Sequence, residues 1–264
     1  MMERLENLTW KEIRRAAENG ATAVLPLGSL EQHGPHLPVV TDTRLVESVT
    51  LAALSEMTPE LAGSFLLAPT LWLGSSNHHQ AFFAVSLREN TYIEVLVEMI
   101  RSLHLAGFRR LFVLNGHGGN SAPLRVALSR IRQEEISMLV GVAEYWAIAA
   151  PAIKQLRNSK SGGAAHAGEI ETSLMLHLAA DAVRTADISA CIPQMPEGFE
   201  IDLVDSGAVS LSLAWGAVSK TGQVGDGTAA SAESGERFFE EITKAVRKTL
   251  EVFHDLSPES ADST

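Results

Sequence analysis

The stretch EQHGPHLPVVTD, Glu31 to Asp42, holds two carboxylates and two imidazoles within twelve residues, where the apolar run TAVLPLG stops. It is too polar for a buried strand. Glu31 and His33 are two residues apart, so on an extended chain their side chains point the same way while Gln32 points elsewhere. Asp42 follows after Pro35 and Pro38 have limited how the intervening loop folds. A carboxylate, an imidazole and a second carboxylate suit divalent zinc, manganese or iron, and Asp42 has two oxygens with which to bridge two ions. The competing reading is a polar loop in which His33 or His36 is satisfied by hydrogen bonds.

Three further places concentrate polar chemistry. In NGHGGN, Asn115 to Asn120, the glycines around His117 let the backbone turn sharply and approach a ligand closely. The spacing fits neither the dinucleotide fingerprint nor the nucleotide-triphosphate loop, which leaves His117 as a ligand or the segment as a structural turn. In HAGEIETS, His166, Glu169 and Glu171 cannot all share one helical face, although His166 can precede the helix and point independently. Glu169, near a helix start, has a capping explanation. Glu171 lies in mostly apolar surroundings and needs a cation or donor partner. In GSSNHHQAFF, the neighbouring His78 and His79 point in opposite directions on an extended chain, so only one faces a shared cavity, with His79 the candidate for a substrate wall. His104 and His177, inside apolar-periodic helices, read as surface or core-edge residues.

The elements that must position these groups alternate in kind. TAVLPLGS is an apolar strand-like run, followed by a helix-like segment from Thr43 to Met57 and a second strand-like run, FLLAPTLWLGSS. TYIEVLVEMIRSLHLAGF carries Ile93, Leu96, Val97 and Ile100 at helical spacing and stops at Gly107. RRLFVLNGHGGN is a short strand running into glycines, and PLRVALSRIRQEE opens the next helix at a favourable proline. SMLVGVAEYW is another strand, with Tyr145 and Trp146 just beyond it as candidates for the pocket lining or for core and interface packing. A helix over AGEIETSLMLHLAADAV, a poorly periodic segment from Asp187 to Val224 and a last amphipathic helix from Ala229 to His254 complete the order. A polar tail from about residue 255 is expected to fray. Alternating strands and helices predict an α/β fold with a mainly parallel central sheet, whose ligands bind beyond the carboxyl ends of the strands. The four polar places each fall at or just after an expected strand, which points to one shared site.

The chain has 264 residues, 45% hydrophobic and 20% charged, long enough for one large core, so residues 1–264 read as a single domain. A formal charge of −11 with no basic block argues against nucleic acid as a partner. Cys191 is the single cysteine, which excludes an intrachain disulfide and a thiolate-rich metal site. The opening MMERLENLTWKEI lacks the pattern of a signal peptide, and no apolar run reaches membrane-spanning length, so no membrane partner is expected and the cytoplasm is the expected location.

LPLGSLEQHGPHLPVVTDT, NGHGGN and HAGEIETSLML, in that order, resemble the creatininase (creatinine amidohydrolase) family, and the resemblance extends more weakly from Trp10 through GQVGDGTAASAESG. It implies a three-layer α/β/α sandwich, often assembled as a homohexamer, with a two-metal hydrolase site. The family's metal-binding positions fall on Glu31, His33, Asp42 and His117, with Asp42 as the bridge. His166 falls on a histidine of the catalytic machinery, and Glu171 on the acidic residue that looks like the remaining ligand in many members. Two departures stand out. The namesake enzymes resemble NGHYEN at the glycine loop, where the acidic residue is a ligand and this chain has Gly119. Their FPGT reads FFAV here, from Phe82 to Val85. Either Glu171 replaces the lost carboxylate or the second metal site is weaker.

The chemistry this implies is amide hydrolysis. Two divalent ions, zinc first and manganese or iron as alternatives, would lower the pKa of a bridging water and polarise an amide carbonyl. His166 would stabilise the tetrahedral intermediate or pass a proton to the departing nitrogen. The expected substrate is a small polar metabolite with a non-peptide or cyclic amide. The alternatives are a deformylase or small-peptide amidase of the same family, a nonhydrolytic metal-dependent lyase or isomerase, and a noncatalytic protein that has kept the fold.

Overall fold

The structure is a computed structural model, and it describes residues 3–258. Five parallel strands, β1 (Glu3–Arg4), β2 (Thr22–Leu27), β3 (Phe65–Leu67), β4 (Arg110–Asn115) and β5 (Leu139–Glu144), form a sheet in the order β1-β3-β2-β4-β5. β2 and β4 pair from Thr22 opposite Arg110 to Leu27 opposite Asn115, and β4 and β5 from Arg110 opposite Leu139 to Asn115 opposite Glu144. All three strands therefore end at the same edge of the sheet.

The six helices of nine or more residues among the described residues are α1 (Trp10–Glu18), α2 (Thr41–Ser55), α3 (Glu89–Leu105), α4 (Ser121–Gln133), α5 (Glu169–Ala179) and α6 (Ala232–His254). They cover both faces of the sheet. Side chains alternate along each strand, so Val24, Phe112 and Leu114 pack with Leu45 and Val46 of α2, Leu174 of α5 and Ile242 of α6. Ala23, Leu25, Leu111 and Val113 pack on the opposite side with Ala17 of α1, Leu96 and Ile100 of α3 and Leu124 of α4. This is the expected α/β/α sandwich, and burial on both sides explains why the strands read as continuous apolar runs.

Several boundaries differ from the sequence expectations. The second apolar run stays a strand only over Phe65–Leu67, because Pro69 cannot donate to a ladder. Beyond it the chain keeps only isolated bridges, Leu27 to Leu71 and Gly74 to Ser86, and leads into the site. α4 begins at Ser121, so Pro123 falls inside its first turn instead of opening it. α6 begins at Ala232, where the Ser231 hydroxyl accepts from the Ser234 amide 3.0 Å away. The aperiodic segment holds a short antiparallel pair, Ala190–Cys191 with Gly225–Asp226, and a short helix, Trp215–Val218. The tail expected to fray is described as far as residue 258, where the Leu256 carbonyl accepts from Arg110 Nε at 2.9 Å, and residues 259–264 lie outside the described residues. Among the described residues no helix is long and apolar enough to cross a membrane.

Candidate metal centre

The polar segments meet beyond the carboxyl ends of β2, β3, β4 and β5. Glu31 and His33 follow β2, and Asp42 lies in the first turn of α2. His117 follows β4 on a turn held by Asn115, whose Oδ1 accepts from the His117 amide at 3.1 Å and whose Nδ2 donates to its carbonyl at 2.7 Å. Asn120 ties three loops together: Nδ2 donates to the Gly28 carbonyl at 3.1 Å and Oδ1 accepts from the Ser75 amide at 3.0 Å. The loop before α5 brings His166, which is followed by Glu171 in the first turn of that helix.

Four groups of three potential ligands result: Glu31 with His33 and His166, Glu31 with His78 and His79, and two built around a shared carboxylate, Glu31 with Asp42 and His117 and His33 with Asp42 and Glu171. Asp42 is that shared carboxylate. Its Oδ1 lies 3.0 Å from His33 Nε2 and its Oδ2 lies 3.2 Å from His117 Nδ1. Glu31 Oε2 is 3.1 Å from His117 Nε2, and Glu31 Oε1 is 3.0 Å from His79 Nε2 and 3.6 Å from His166 Nδ1. Glu171 Oε1 is 3.9 Å from His33 Nε2, while its Oε2 accepts from the Ala167 amide at 2.5 Å. His33 Nδ1 lies 3.1 Å from the Glu31 carbonyl oxygen and donates to it, which aims Nε2 at the carboxylates, an arrangement typical of a metal-ligating histidine. Glu31 Oε1 and Asp42 Oδ2 are buried and have no hydrogen-bond partner despite the nearby ring nitrogens. Unpaired buried carboxylate oxygens are costly, and a divalent cation among oxygen and nitrogen donors would satisfy them. The residues present therefore fit metal ions.

Electrostatics point the same way. Burial disfavours every charge here, yet Asp42, aided by Glu171 and Glu31, raises the pKa of His33 to about 10. Against the same burial, Glu31 and Asp42 raise His117 to about 9. Burial and the neighbouring Asp42 outweigh the attraction of His33 and lift Glu171 to about 7. The cluster thus draws positive charge to its buried carboxylates, the charge a bound cation would supply. His166 is driven the other way, well below its usual value, by burial and by the adjacent His33 and His79.

A cavity of about 230 Å³ opens onto this cluster, with Glu31, Asp42, His117, His166 and Glu171 on its wall. The family model described as creatinine amidohydrolase matches residues 6–250. The mycofactocin precursor peptide peptidase of Mycobacterium ulcerans (strain Agy99) is 37% identical over 223 residues, 83% of this chain and 80% of that protein. The creatinine amidohydrolase of Pseudomonas putida is 33% identical over 210 residues, 73% of this chain and 76% of its own length. A solved structure described as "Creatininase Mn" superposes with a TM-score of 0.76 at 28% identity, covering 96% of this chain and 99% of that one.

The chain belongs to the creatininase family. Hydrolysis is the reaction class its relatives share, and the chain is a hydrolytic enzyme of that family. Within this creatininase-family fold, Gly119 is fixed by space: a Cβ there would overlap the Ser75 carbonyl oxygen and His117 Nε2 and sit 2.9 Å from His78 Cε1. A carboxylate side chain at this position has no room on this backbone, and Glu171 stands beside His33 and Asp42.

The structure separates the other sequence candidates. His36 turns away from the cluster, with Nε2 2.9 Å from Thr172 Oγ1 and Nδ1 buried without a hydrogen-bond partner, whereas both ring nitrogens of His33 are engaged, by the Glu31 carbonyl and by Asp42. His79 lines the cavity, but as a neighbour of Glu31 as much as a substrate wall. Trp146 lines it too, whereas Tyr145, expected on the wall, is fully buried in the core beneath. Glu169 does not cap its own helix: its carboxylate accepts from the Asn158 amide at 2.7 Å and the Ser159 amide at 2.8 Å.

Three neighbours of the cluster escape the sequence reading. Gln32, expected to point elsewhere, places Nε2 2.8 Å from His79 Nδ1 and donates to the Gly222 carbonyl at 2.9 Å. Trp215 stands edge-on to His79, with ring centres 4.3 Å apart, and to His166 at 5.3 Å. Asp202 pairs with Arg157 Nη2 at 2.9 Å and accepts from the Gly162 and Ala164 amides at 2.8 and 3.2 Å, which anchors the loop carrying His166. Asp187 to Val224 lacks periodicity, so nothing in the sequence pointed to its contribution to the site.

Proposed function

We propose that this creatininase-family hydrolase cleaves the C–N bond of a small amide with water, using two divalent ions held by Glu31, His33, Asp42, His117 and Glu171. The observation that carries the proposal is the pair of donor groups sharing Asp42, with two buried carboxylate oxygens lacking partners. When bound, the ions supply Lewis acidity and a water that ionises near neutral pH. Mixed carboxylate and imidazole donors suit zinc, with manganese, named for one related structure, or iron as alternatives.

His166 does the proton work. Its Nε2 lies 2.8 Å from the Gln32 carbonyl oxygen and donates to it, which leaves the Nδ1 lone pair facing Glu31 and the cavity. With Nε2 committed to that carbonyl, Nδ1 is the nitrogen placed to take a proton from the attacking water and return it to the departing nitrogen. Asp202 and Gln32 hold that ring in place. The cyclic amide named for the Pseudomonas relative and the peptide named for the mycobacterial one require the same bond cleavage. We place the enzyme in the cytoplasm, and as a homohexamer on the strength of the family resemblance.

Protein purified without chelator is expected to carry up to two transition-metal ions per chain by elemental analysis. It should release an amine from a small amide or a short peptide, lose that activity on chelation and recover it on metal return. Glu171→Gln should lose metal and more than about 100-fold in turnover with the fold intact, exceeding the 10–100-fold typical of residues outside the ligand set, such as Glu169. Full metal content and near-normal turnover in Glu171→Gln would remove it from the ligand set, and a reproducible absence of bound metal would sink the site.

A further inference from the structure

Beside the metal pocket lies a second cavity of about 260 Å³, walled by Phe199, Ile201, Val209, Leu211, Leu213 and Trp215. Ile201, Ser206 and Trp215 line both cavities, so the two adjoin across these residues. Their side chains differ in kind, although Glu200, Ser206 and Ser210 also line the second. The first is floored by carboxylates and imidazoles. In the second, the acidic Glu200 is already engaged, accepting from the Gly198 amide at 3.1 and 3.0 Å.

The apolar wall comes from AVSLSLAW, Ala208 to Trp215, in which apolar residues alternate with Ser210 and Ser212. Alternation of this kind makes one apolar face on an extended chain. Here that face has no sheet to pack on, since residues 208–214 belong to no strand. Val209, Leu211 and Leu213 remain 44%, 47% and 43% exposed, although the chain buries comparable residues elsewhere. A contiguous exposed apolar patch marks a binding surface. Two anchors fix the segment: the Val209 amide donates to the Gly198 carbonyl at 3.0 Å, and Trp215 Nε1 donates to the Gly222 carbonyl at 2.7 Å. Gly222 is also the residue that holds Gln32, so the apolar wall and the histidine cluster are braced from one point.

We infer that this cavity is a specificity subsite for one apolar side chain, aliphatic or aromatic, of the amide whose C–N bond sits in the metal pocket. The inference rests on the amidohydrolase reading and narrows it: the substrate joins a hydrolysable amide to an apolar group. Size supports it. Small-molecule sites occupy roughly 300–1,000 Å³; each cavity alone falls short of that and the two together reach it. A small polar amide would fill the first cavity and leave the second empty.

The test uses calorimetry on the metal-loaded enzyme with N-acetylglycinamide, N-acetylleucinamide and N-acetylphenylalaninamide. The leucine and phenylalanine compounds are expected to bind at least about 10-fold more tightly than the glycine compound, from side-chain burial alone. Leu211→Asp and Val209→Asp, at half-exposed positions where folding is not at stake, should bring that ratio close to one. An unchanged ratio in both variants, a ratio near one in the parent, or no binding of the leucine compound overturns the subsite. Retained preference combined with a change in molecular mass by light scattering also overturns it, and assigns the patch to contact between copies of the chain. Hydrolysis of the same compounds is followed in parallel. Preferential binding without cleavage counts against the amidohydrolase reading and leaves the subsite standing, whereas cleavage of all three without preference does the reverse.

Discussion

Gly119 offers the sharpest test of how the site is built. Gly119→Ala adds one methyl group where the Ser75 carbonyl oxygen and His117 Nε2 already stand, with His78 Cε1 at 2.9 Å. None of these is the free end of a flexible chain. The Ser75 carbonyl is backbone, its amide is tied to Asn120, and His117 is held between Glu31 and Asp42. Relief of the overlap to ordinary contact requires movement of about 1 Å in the loop or the ring. Overpacking of this kind costs about 1–3 kcal/mol, which lowers the midpoint of thermal unfolding by roughly 2–10 °C in a chain of this size. The functional loss is larger, because a displacement of about 1 Å in a positioned group costs about 100-fold in rate. Elemental analysis, thermal unfolding and turnover are measured together, with Gly118→Ala as the control. A Cβ at Gly118 meets nothing within 4 Å, so that variant should keep its metal and stability. Gly119→Glu, which restores the residue type of the namesake enzymes, should bind less metal and should not rescue Glu171→Gln. Parental metal content and turnover in Gly119→Ala would refute the steric argument, and recovery in the double variant would show that position 119 still reaches the ions.

His166→Ala should keep its metal while turnover falls by about 100- to 10,000-fold, the range for loss of a general acid–base; loss of metal would make His166 a ligand instead. Tyr145→Phe removes a buried hydroxyl that has no hydrogen-bond partner, so stability should stay level or rise by up to about 1 kcal/mol, with metal and turnover unchanged. A loss of more than about 10-fold in Tyr145→Phe would show that the hydroxyl acts in the reaction. Light scattering at micromolar concentration should return a hexamer, and a monomer would refute the assembly that the family resemblance implies.

The residues proposed as ligands stood out in the sequence because their chemistry is local. Glu31, His33 and Asp42 lie within one short segment, His117 is framed by glycines, and Glu171 is a carboxylate in apolar surroundings. The order of strands and helices was legible for a related reason, since burial on both faces makes a strand run wholly apolar and a core-facing helix periodic. Local rules fail where the chain leaves regular structure. The strand residues Leu30–Glu31 end just before Gln32, so the alternation that was to send Gln32 away no longer applies, and its amide is placed by His79 and the Gly222 carbonyl instead. The second strand was expected to run on through Pro69, yet backbone pairing stops at Leu67 and the freed chain carries Ser75 to His79 into the site.

Trp215 and Asp202 belong to a third case, in which neither local spacing nor residue type announces a role. Asp202 is buried because the Arg157 guanidinium and the Gly162, Ala164, Val204 and Asp205 amides surround its carboxylate, partners spread from residue 157 to residue 205. Removing a partner from such a buried pair leaves an uncompensated charge and is strongly destabilising, so the bonds to Asp202 fix the loop that carries His166. The proposed metal ligands are dictated by what a cation needs. The position of His166 is dictated by what a buried carboxylate needs some forty residues further along the chain, and only the folded structure displays that dependence.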